Sequence, residues 1–307
     1  DWAGNTAETT KDLAVDITKP KIEIIYDHNN PVNGKYYNQT RVATVRVTER
    51  NFDPSKVNLK ITSTGQKPSI SGWTISSQAG RSDNAVNTCT VTFSADADYT
   101  LNASVTDKAG NVSDYNRTDT FTIDRTRPKI SVSYSGGNVR NGKYFDQKRT
   151  ATITVTEHNF DPSQFRISIQ AALDGKDIDK PVLSSWTSRG DTHTASITFL
   201  HDGDYSFIAE TGDLAGNRSD KYAQSSFTID TKAPELSFFD IKDHSANKDT
   251  VAPGIRSTDL NFDSSAVTLT LKGAKHKEKT VQGTVSETAN GVSIKLPDFA
   301  HNKQTDD

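Results

Sequence analysis

Three copies of a five-residue loop carry the chain's most regular array of chemically capable side chains: DWAGN at 1–5, DKAGN at 107–111 and DLAGN at 213–217. Asp1, Asp107 and Asp213 are evenly placed, since 107 − 1 and 213 − 107 both equal 106. Oxygen ligands from such a loop can hold a hard cation. The same Asp and Asn, bonding backbone N–H groups, can instead close a turn. The second position is Trp2, Lys108 or Leu214, a variability that a turn tolerates because it leaves that side chain free. Asp at the first position of a type I turn, followed by a left-handed Gly that forms a bulge, fits all three copies. The turn reading is therefore favoured. It assigns structural roles to Asp107, Gly110, Asn111, Asp213, Gly216 and Asn217, and it predicts positive φ at Gly4, Gly110 and Gly216.

Other reactive constellations are missing from the sequence. The seven histidines (28, 158, 193, 201, 244, 276 and 301) do not recur at matching positions, and no H-E-x-x-H, G-x-S-x-G or phosphate-cradling loop occurs. A single cysteine, Cys89, excludes an intrachain disulfide and a cysteine-based metal site. An enzyme places its catalytic set once, whereas here the distinctive residues are duplicated, so no catalytic residue is expected. The segments VDITKP, IDRTRP and IDTKAP place Asp16, Asp124 and Asp230 at successive unit boundaries, where they are weak calcium candidates. Each linker offers one carboxylate and no D-x-D-x-D-G loop is present. An Asp bonded to backbone N–H groups ahead of a rigid proline is favoured, and no metal or cofactor is expected.

The elements that position these residues follow a period of two. Ile22, Ile24 and Tyr26 alternate with polar neighbours, as do Ala43, Val45 and Val47, then Val57, Leu59 and Ile61. Cys89, Val91 and Phe93 follow, then Tyr99, Leu101 and Ala103, then Phe121 and Ile123; each set recurs in the next unit. Short Thr-, Val- and Ile-rich strands separated by Gly, Pro, Asn and Asp predict tandem antiparallel β-sandwiches, an all-β fold. Cys89 aligns with Ala195 and Val292, so it is expected to be a small buried hydrophobe. The carboxylate pairs Asp96/Asp98 and Asp202/Asp204 lead into Tyr99 and Tyr205, which match the tyrosine corner of immunoglobulin-like sandwiches. Trp73 and Trp186 come after the strand where the immunoglobulin core Trp sits, so neither matches it.

A net charge of −3 with no basic cluster gives no reason to expect nucleic acid. The absence of Met and the start within a repeat predict a fragment of a longer chain. Two complete units are expected, 19–126 and 127–232. Residues 1–18 would be the closing strand of a preceding unit and 233–307 a partial third lacking its last two strands. The ends are then expected to be the least stable parts, because an incomplete sandwich leaves a sheet edge open.

The tandem D-x-A-G-N loops followed by proline-bearing linkers resemble the bacterial immunoglobulin-like repeats of Gram-positive cell-surface proteins and adhesins. The resemblance covers essentially the whole chain. It implies a secreted or cell-wall setting and a monomeric, rod-like array without membrane insertion in this segment. It also implies one of several roles: a non-catalytic stalk and adhesion module, a direct binder of a host protein (immunoglobulin, in the manner of a superantigen, or extracellular matrix), or a glycan-contacting module of a secreted glycosidase. Aromatic pairs on a strand point to opposite faces. One member each of Tyr36-Tyr37 and Tyr144-Phe145 is therefore expected at a surface or unit junction, and these four are the candidate binding residues. The third unit has Ala246-Asn247-Lys248-Asp249 in their place.

Overall fold

The computed structural model describes residues 1–11, 15–245, 249, 251–263, 270–271, 279–280, 284–288 and 291–295. Ala246, Asn247 and Lys248 lie outside the described residues, as do parts of the expected unit 233–307. The first unit holds β1 (Lys21–Tyr26), β2 (Tyr36–Tyr37), β3 (Arg41–Thr48), β4 (Val57–Ser63) and β5 (Ser69–Ile70). It continues with β6 (Val86–Phe93), β7 (Ala97–Thr106), β8 (Val112–Asp114) and β9 (Asp119–Ile123). One sheet has the order β1-β3-β6-β5; the other has β2-β9-β7-β4, with β8 added on β7.

The second unit repeats this plan with β10 (Lys129–Ser135), β11 (Tyr144–Phe145), β12 (Arg149–Thr156), β13 (Arg166–Leu173) and β14 (Lys176–Asp177). It closes with β15 (Thr187–Arg189), β16 (Thr192–Phe199), β17 (Gly203–Glu210) and β18 (Tyr222–Ile229), forming sheets β10-β12-β16-β15 and β11-β18-β17-β13-β14. Further on lie β19 (Glu235–Phe239), β20 (Gly254–Thr258), β21 (Thr270–Leu271), β22 (Lys279–Thr280), β23 (Thr284–Thr288) and β24 (Gly291–Lys295). There the described sheet is β19-β20-β24-β23, beside a β21-β22 pair.

The alternation read in the sequence becomes two apolar faces pressed together. Ala43 and Val45 point inward from β3 into one cluster with Leu101 and Ala103 of β7, and Val47 packs with Val105, while Thr44 and Thr90 stand opposite one another on the outer face. Each buried Val, Leu or Ile contributes about 1.5–3 kcal/mol. Aromatic packing is copied between units. Phe93 lies 4.9 Å from Tyr99 and 4.9 Å from Phe121; Phe199 lies 5.0 Å from Tyr205 and 5.0 Å from Phe227. Cys89 is buried opposite Val45, as Ala195 is opposite Ile153, and burial pushes its thiol up to about 11. A thiol so placed is a core methyl substitute, not a nucleophile.

The aromatic dipeptides switch the chain from one sheet to the other. β2 and β11 leave the sheets of β1 and β10 and pair in parallel with the closing strands β9 and β18. The D-K-A-G-N turn leads from β7 into the short β8, and the chain then returns to β7 as the last strand, β9. Phe165 caps the 3-10 turn Pro162–Gln164 just ahead of β13.

At the turn glycines φ is +80° at Gly4, +96° at Gly110 and +85° at Gly216. A Cβ on Gly110 meets nothing within 4 Å, whereas one on Gly216 would stand 2.9 Å from Val32 Cγ1, a residue of the preceding unit. Gly110→Ala is therefore expected to lose about 1 kcal/mol from backbone strain alone. Gly216→Ala should lose more, because strain and a clash across the junction add. Urea melts of the two variants check the order.

Candidate functional site

The turn and the recurrent E-x-N-F-D-P segment meet where one unit follows another. Asp53 and Asp161 cap short 3-10 turns through Ser55 and Ser163, with Pro54 and Pro162 at the first helical position. This is the ordinary chemistry of a helix start. Phe52 and Phe160 enter the core beneath Trp73 and Trp186, each pair of ring centroids 4.9 Å apart. The tryptophans thus cover the junction end of each sandwich instead of filling its centre.

Asn51, Asn159 and Asn261 then reach back to the linker. Their side-chain amides donate to Asp16 Oδ2 at 2.6 Å, Asp124 Oδ2 at 2.7 Å and Asp230 Oδ2 at 2.9 Å. Asn111 and Asn217 close the other side. Each backbone N–H donates to Oδ1 of its turn Asp at 2.9 Å, and each Nδ2 donates to that residue's Oδ2 at 2.8 Å. The same Nδ2 atoms also donate to the linker carbonyls of Asp16, at 3.1 Å, and Asp124, at 2.9 Å. The backbone bonds from Gly110 to Asp107 and from Gly216 to Asp213 complete the turns.

The exposed loop at Asp1–Asn5 makes the same internal bonds with no sandwich around it: Gly4 N–H to Asp1 O at 3.0 Å and Asn5 N–H to Asp1 Oδ1 at 3.0 Å. Turn geometry is local. The clasp on the linker is tertiary.

The clasps bring carboxylates together. Ligand oxygens of Asp16, Glu49 and Asp107 lie within 4.8 Å of one another, and so do those of Asp124, Glu157 and Asp213. In the second cluster all three residues are at least 96% buried, with exposures of 3%, 4% and 4%. Glu157 Oε1 accepts from the Asn159 N–H at 2.8 Å, while Glu157 Oε2 is buried without a hydrogen-bond partner. Among the described residues no Lys, Arg or His forms an ion pair with any of the three. Burial first, and then the charges of Asp124 and Asp213, push the Glu157 carboxyl up to about 7. Burial likewise raises Asp213, and Glu49 is raised in the more open first cluster. At the third junction Asn261 holds Asp230 and its N–H donates to Asp259 Oδ1 at 2.7 Å, so Asp259 stands where the other units have Glu.

Of the acidic residues, sequence reading named the linker aspartates and the turn aspartates separately and missed Glu49 and Glu157. A signal was present. Each Glu follows its linker Asp by 33 residues (49 − 16 and 157 − 124), two strands and a sheet switch later.

The aromatic candidates divide. Tyr37 and Phe145 are 6% exposed and pack edge-on against Phe121 and Phe227, which removes them from any surface. The guanidinium groups of Arg41 and Arg149 lie over their rings at 4.3 and 3.9 Å. Tyr36 and Tyr144 are half-buried; Tyr144 lines a cleft with Arg140, Asp230, Leu260 and Phe262. Tyr99 and Tyr205 donate to Ala95 O and His201 O, both at 2.9 Å, the corner hydrogen bond four residues upstream.

Two sheets, antiparallel but for the β2 and β11 pairs, with a tyrosine corner define an immunoglobulin-like β-sandwich in each of the first two units. Residues 87–197 match the family model described as a bacterial Ig-like domain (group 3), which supports a bacterial Ig-like domain in this part of the chain. That stretch runs from β6 of one sandwich to β16 of the next, so it spans the Asp124 linker. No curated protein matches the chain. Among solved structures, a marsupial T cell receptor is similar at 13% identity and a TM-score of 0.24, covering 91% of this chain and 94% of that one. A dimeric latent PorU from Porphyromonas gingivalis shows 14% identity and the same TM-score, covering 91% of this chain and 29% of that one. Likenesses this distant carry no argument about function.

Proposed function

We propose that this chain is a non-catalytic run of Ig-like repeats from a bacterial surface protein, extracellular, serving as stalk and adhesion segment. The carrying observation is where the repeated polar residues go. Asn51, Asn159 and Asn261 grip the linker aspartates, and Asn111 and Asn217 grip the linker carbonyls. Side chains spent on fixing one unit against the next suit a spacer whose value is its reach and stiffness. No helix among the described residues is long and apolar enough to cross a membrane.

Small-angle scattering tests the spacer role. Asn159→Ala/Asn217→Ala is expected to broaden the distance distribution while circular dichroism keeps the β spectrum of the wild type. A wild-type profile already that of freely jointed units would sink the reading. The half-exposed Tyr36 and Tyr144 favour a second role, capture of a host protein such as immunoglobulin, or of glycan. Passing serum and mucin over the immobilised chain separates the two. Specific retention that Tyr36→Ala abolishes supports capture, and empty eluates support the stalk.

A further inference from the structure

We propose that Asn141-Gly142 is a self-modifying site, where the Asn141 amide converts to a carboxylate through a cyclic imide and the new charge loosens the junction at Asp230. The chemistry goes beyond the spacer role and stands without it; only its consequence for the junction rests on that role.

Sequence and backbone together set up the reaction. Asn141, Gly142 and Lys143 form the tip of a hairpin closed by Arg140 N–H to Tyr144 O at 2.8 Å and Tyr144 N–H to Arg140 O at 2.9 Å. All three tip residues are exposed to water. φ is +47° at Asn141 and +80° at Gly142, a left-handed pair that Asn followed by Gly adopts readily. The nucleophile is the Gly142 backbone nitrogen, and the atom it attacks is Asn141 Cγ. A side chain on the second residue would crowd that approach. Gly142 has none, and a Cβ placed there meets nothing within 4 Å, so the tip has open space to turn through the attacking conformation.

Each step balances with water as the only co-reactant. Hydroxide takes the Gly142 N–H proton, the nitrogen–Cγ bond forms, and the Cγ–Nδ2 bond breaks with the amide nitrogen leaving as ammonia. Solvent water then opens the imide. Attack at Cγ gives Asp. Attack at the Asn141 backbone carbonyl carbon gives isoaspartate, whose main chain runs through the former side-chain carbon and lengthens the loop that presents Tyr144.

The position gives the product its effect. Asn141 Nδ2 donates to Asp263 Oδ2 at 3.3 Å, from the second unit to the third. Asp146 and Asp230 line the same cleft, and Arg140 there is paired with Asp146 at 3.2 Å. Conversion therefore replaces a donor to Asp263 with a like charge facing it. The matching Asn33-Gly34 tip is also exposed, but its loop meets the next unit through Val32 against Gly216, an apolar contact that an added charge leaves alone.

Peptide mapping by mass spectrometry, on the whole chain aged in mildly alkaline buffer, tests the modification. Asn141 is expected to gain the amide-to-acid mass at least about tenfold faster than exposed Asn38 and Asn116, a step of about 1.36 kcal/mol in barrier. Those two are followed by Gln39 and Arg117, which carry side chains. Equal rates at the three positions, or an Asn141 that stays intact, overturns the proposal. Small-angle scattering tests the consequence. Asn141→Asp should broaden the distance distribution more than Asn141→Ala, which loses the bond to Asp263 without adding charge. The difference should vanish at about 1 M salt, where the screening length falls to about 3 Å. Matching profiles for the two variants at low salt overturn the charge step. A wild type already freely jointed sinks the spacer role and the loosening together, while the mass map still decides the modification.

Discussion

Tyr37→Ala is expected to destabilise the first sandwich by about 3–5 kcal/mol, enough to unfold many small domains. Tyr37 is 6% exposed and its ring stands edge-on to Phe121 and to His28, at centroid distances of 6.1 and 5.4 Å. Truncation would open a cavity at the point where β2 enters the second sheet. It would also uncover one face of Arg41, a 5%-exposed guanidinium that lies 3.7 Å from the Tyr26 ring and 4.6 Å from the Phe121 ring and donates to His28 O. A buried cation that loses an aromatic face is left with less to offset its desolvation. Tyr36→Ala removes a half-buried ring with Lys35 above it, and should cost about 1 kcal/mol or less. Thermal melts of the two single variants give the comparison. Equal losses would show that the pair does not split into core and surface. The result also governs how a binding assay is read, because a loss of binding in Tyr37→Ala would follow from the expected destabilisation of its domain without any contact to a partner.

The strands were legible in the sequence because a half-buried strand writes its faces into alternate residues. Ala43, Val45 and Val47 could be assigned inward from pattern alone, and so could Ala151, Ile153 and Val155. The turn was legible for a related reason: its bonds are made within five residues, as the isolated Asp1–Asn5 copy shows. The acidic clusters were not. Asp124, Glu157 and Asp213 are separated by a strand pair and most of a sandwich, and only the sheet topology folds them onto one point. Tyr37 and Tyr36 were ambiguous because alternation says that two neighbours face opposite ways without saying which is which. That choice was made by the parallel pairing of β2 with β9, a non-local contact.

The motif E-x-N-F-D-P shows how densely such a segment is used. Glu49 and Glu157 supply cluster oxygens, Asn51 and Asn159 hold the linker, Phe52 and Phe160 fill the junction end of the core, and Asp53 and Asp161 start a helical turn. Alternate residues point toward the junction or into the fold, so one short stretch serves both. Lost sequence freedom is the consequence, and it explains why the segment returns nearly unchanged in the second unit while neighbouring loops differ.

The second large effect is expected at the residue behind the cluster. Asn87→Ala should lose about 3 kcal/mol, because Asn87 is fully buried and its amide serves several backbone groups at once. Nδ2 stands 3.4 Å from each of the carbonyls of Val47, Glu49 and Ala85, and Oδ1 accepts the Ser76 N–H at 3.0 Å. Alanine removes the acceptor of the Ser76 N–H and the donor shared by the three carbonyls, and leaves a void in the core. In the second unit the equivalent position is His193, paired with Val155 as Asn87 is with Val47. His193 meets the Glu157 carbonyl through Nε2 at 2.8 Å and Ser188 Oγ through Nδ1 at 2.7 Å, with Phe160 stacked 4.4 Å away. Two different side chains thus hold the backbone of Glu49 and Glu157, each by a buried polar link. Exchanging them tests whether position or identity matters. His193→Asn should retain part of the stability that His193→Ala loses, since an amide can still reach the Glu157 carbonyl. Urea unfolding of the three variants measures it. A His193→Asn protein no more stable than His193→Ala would show that ring packing on Phe160, and not the polar link, holds Glu157 in place.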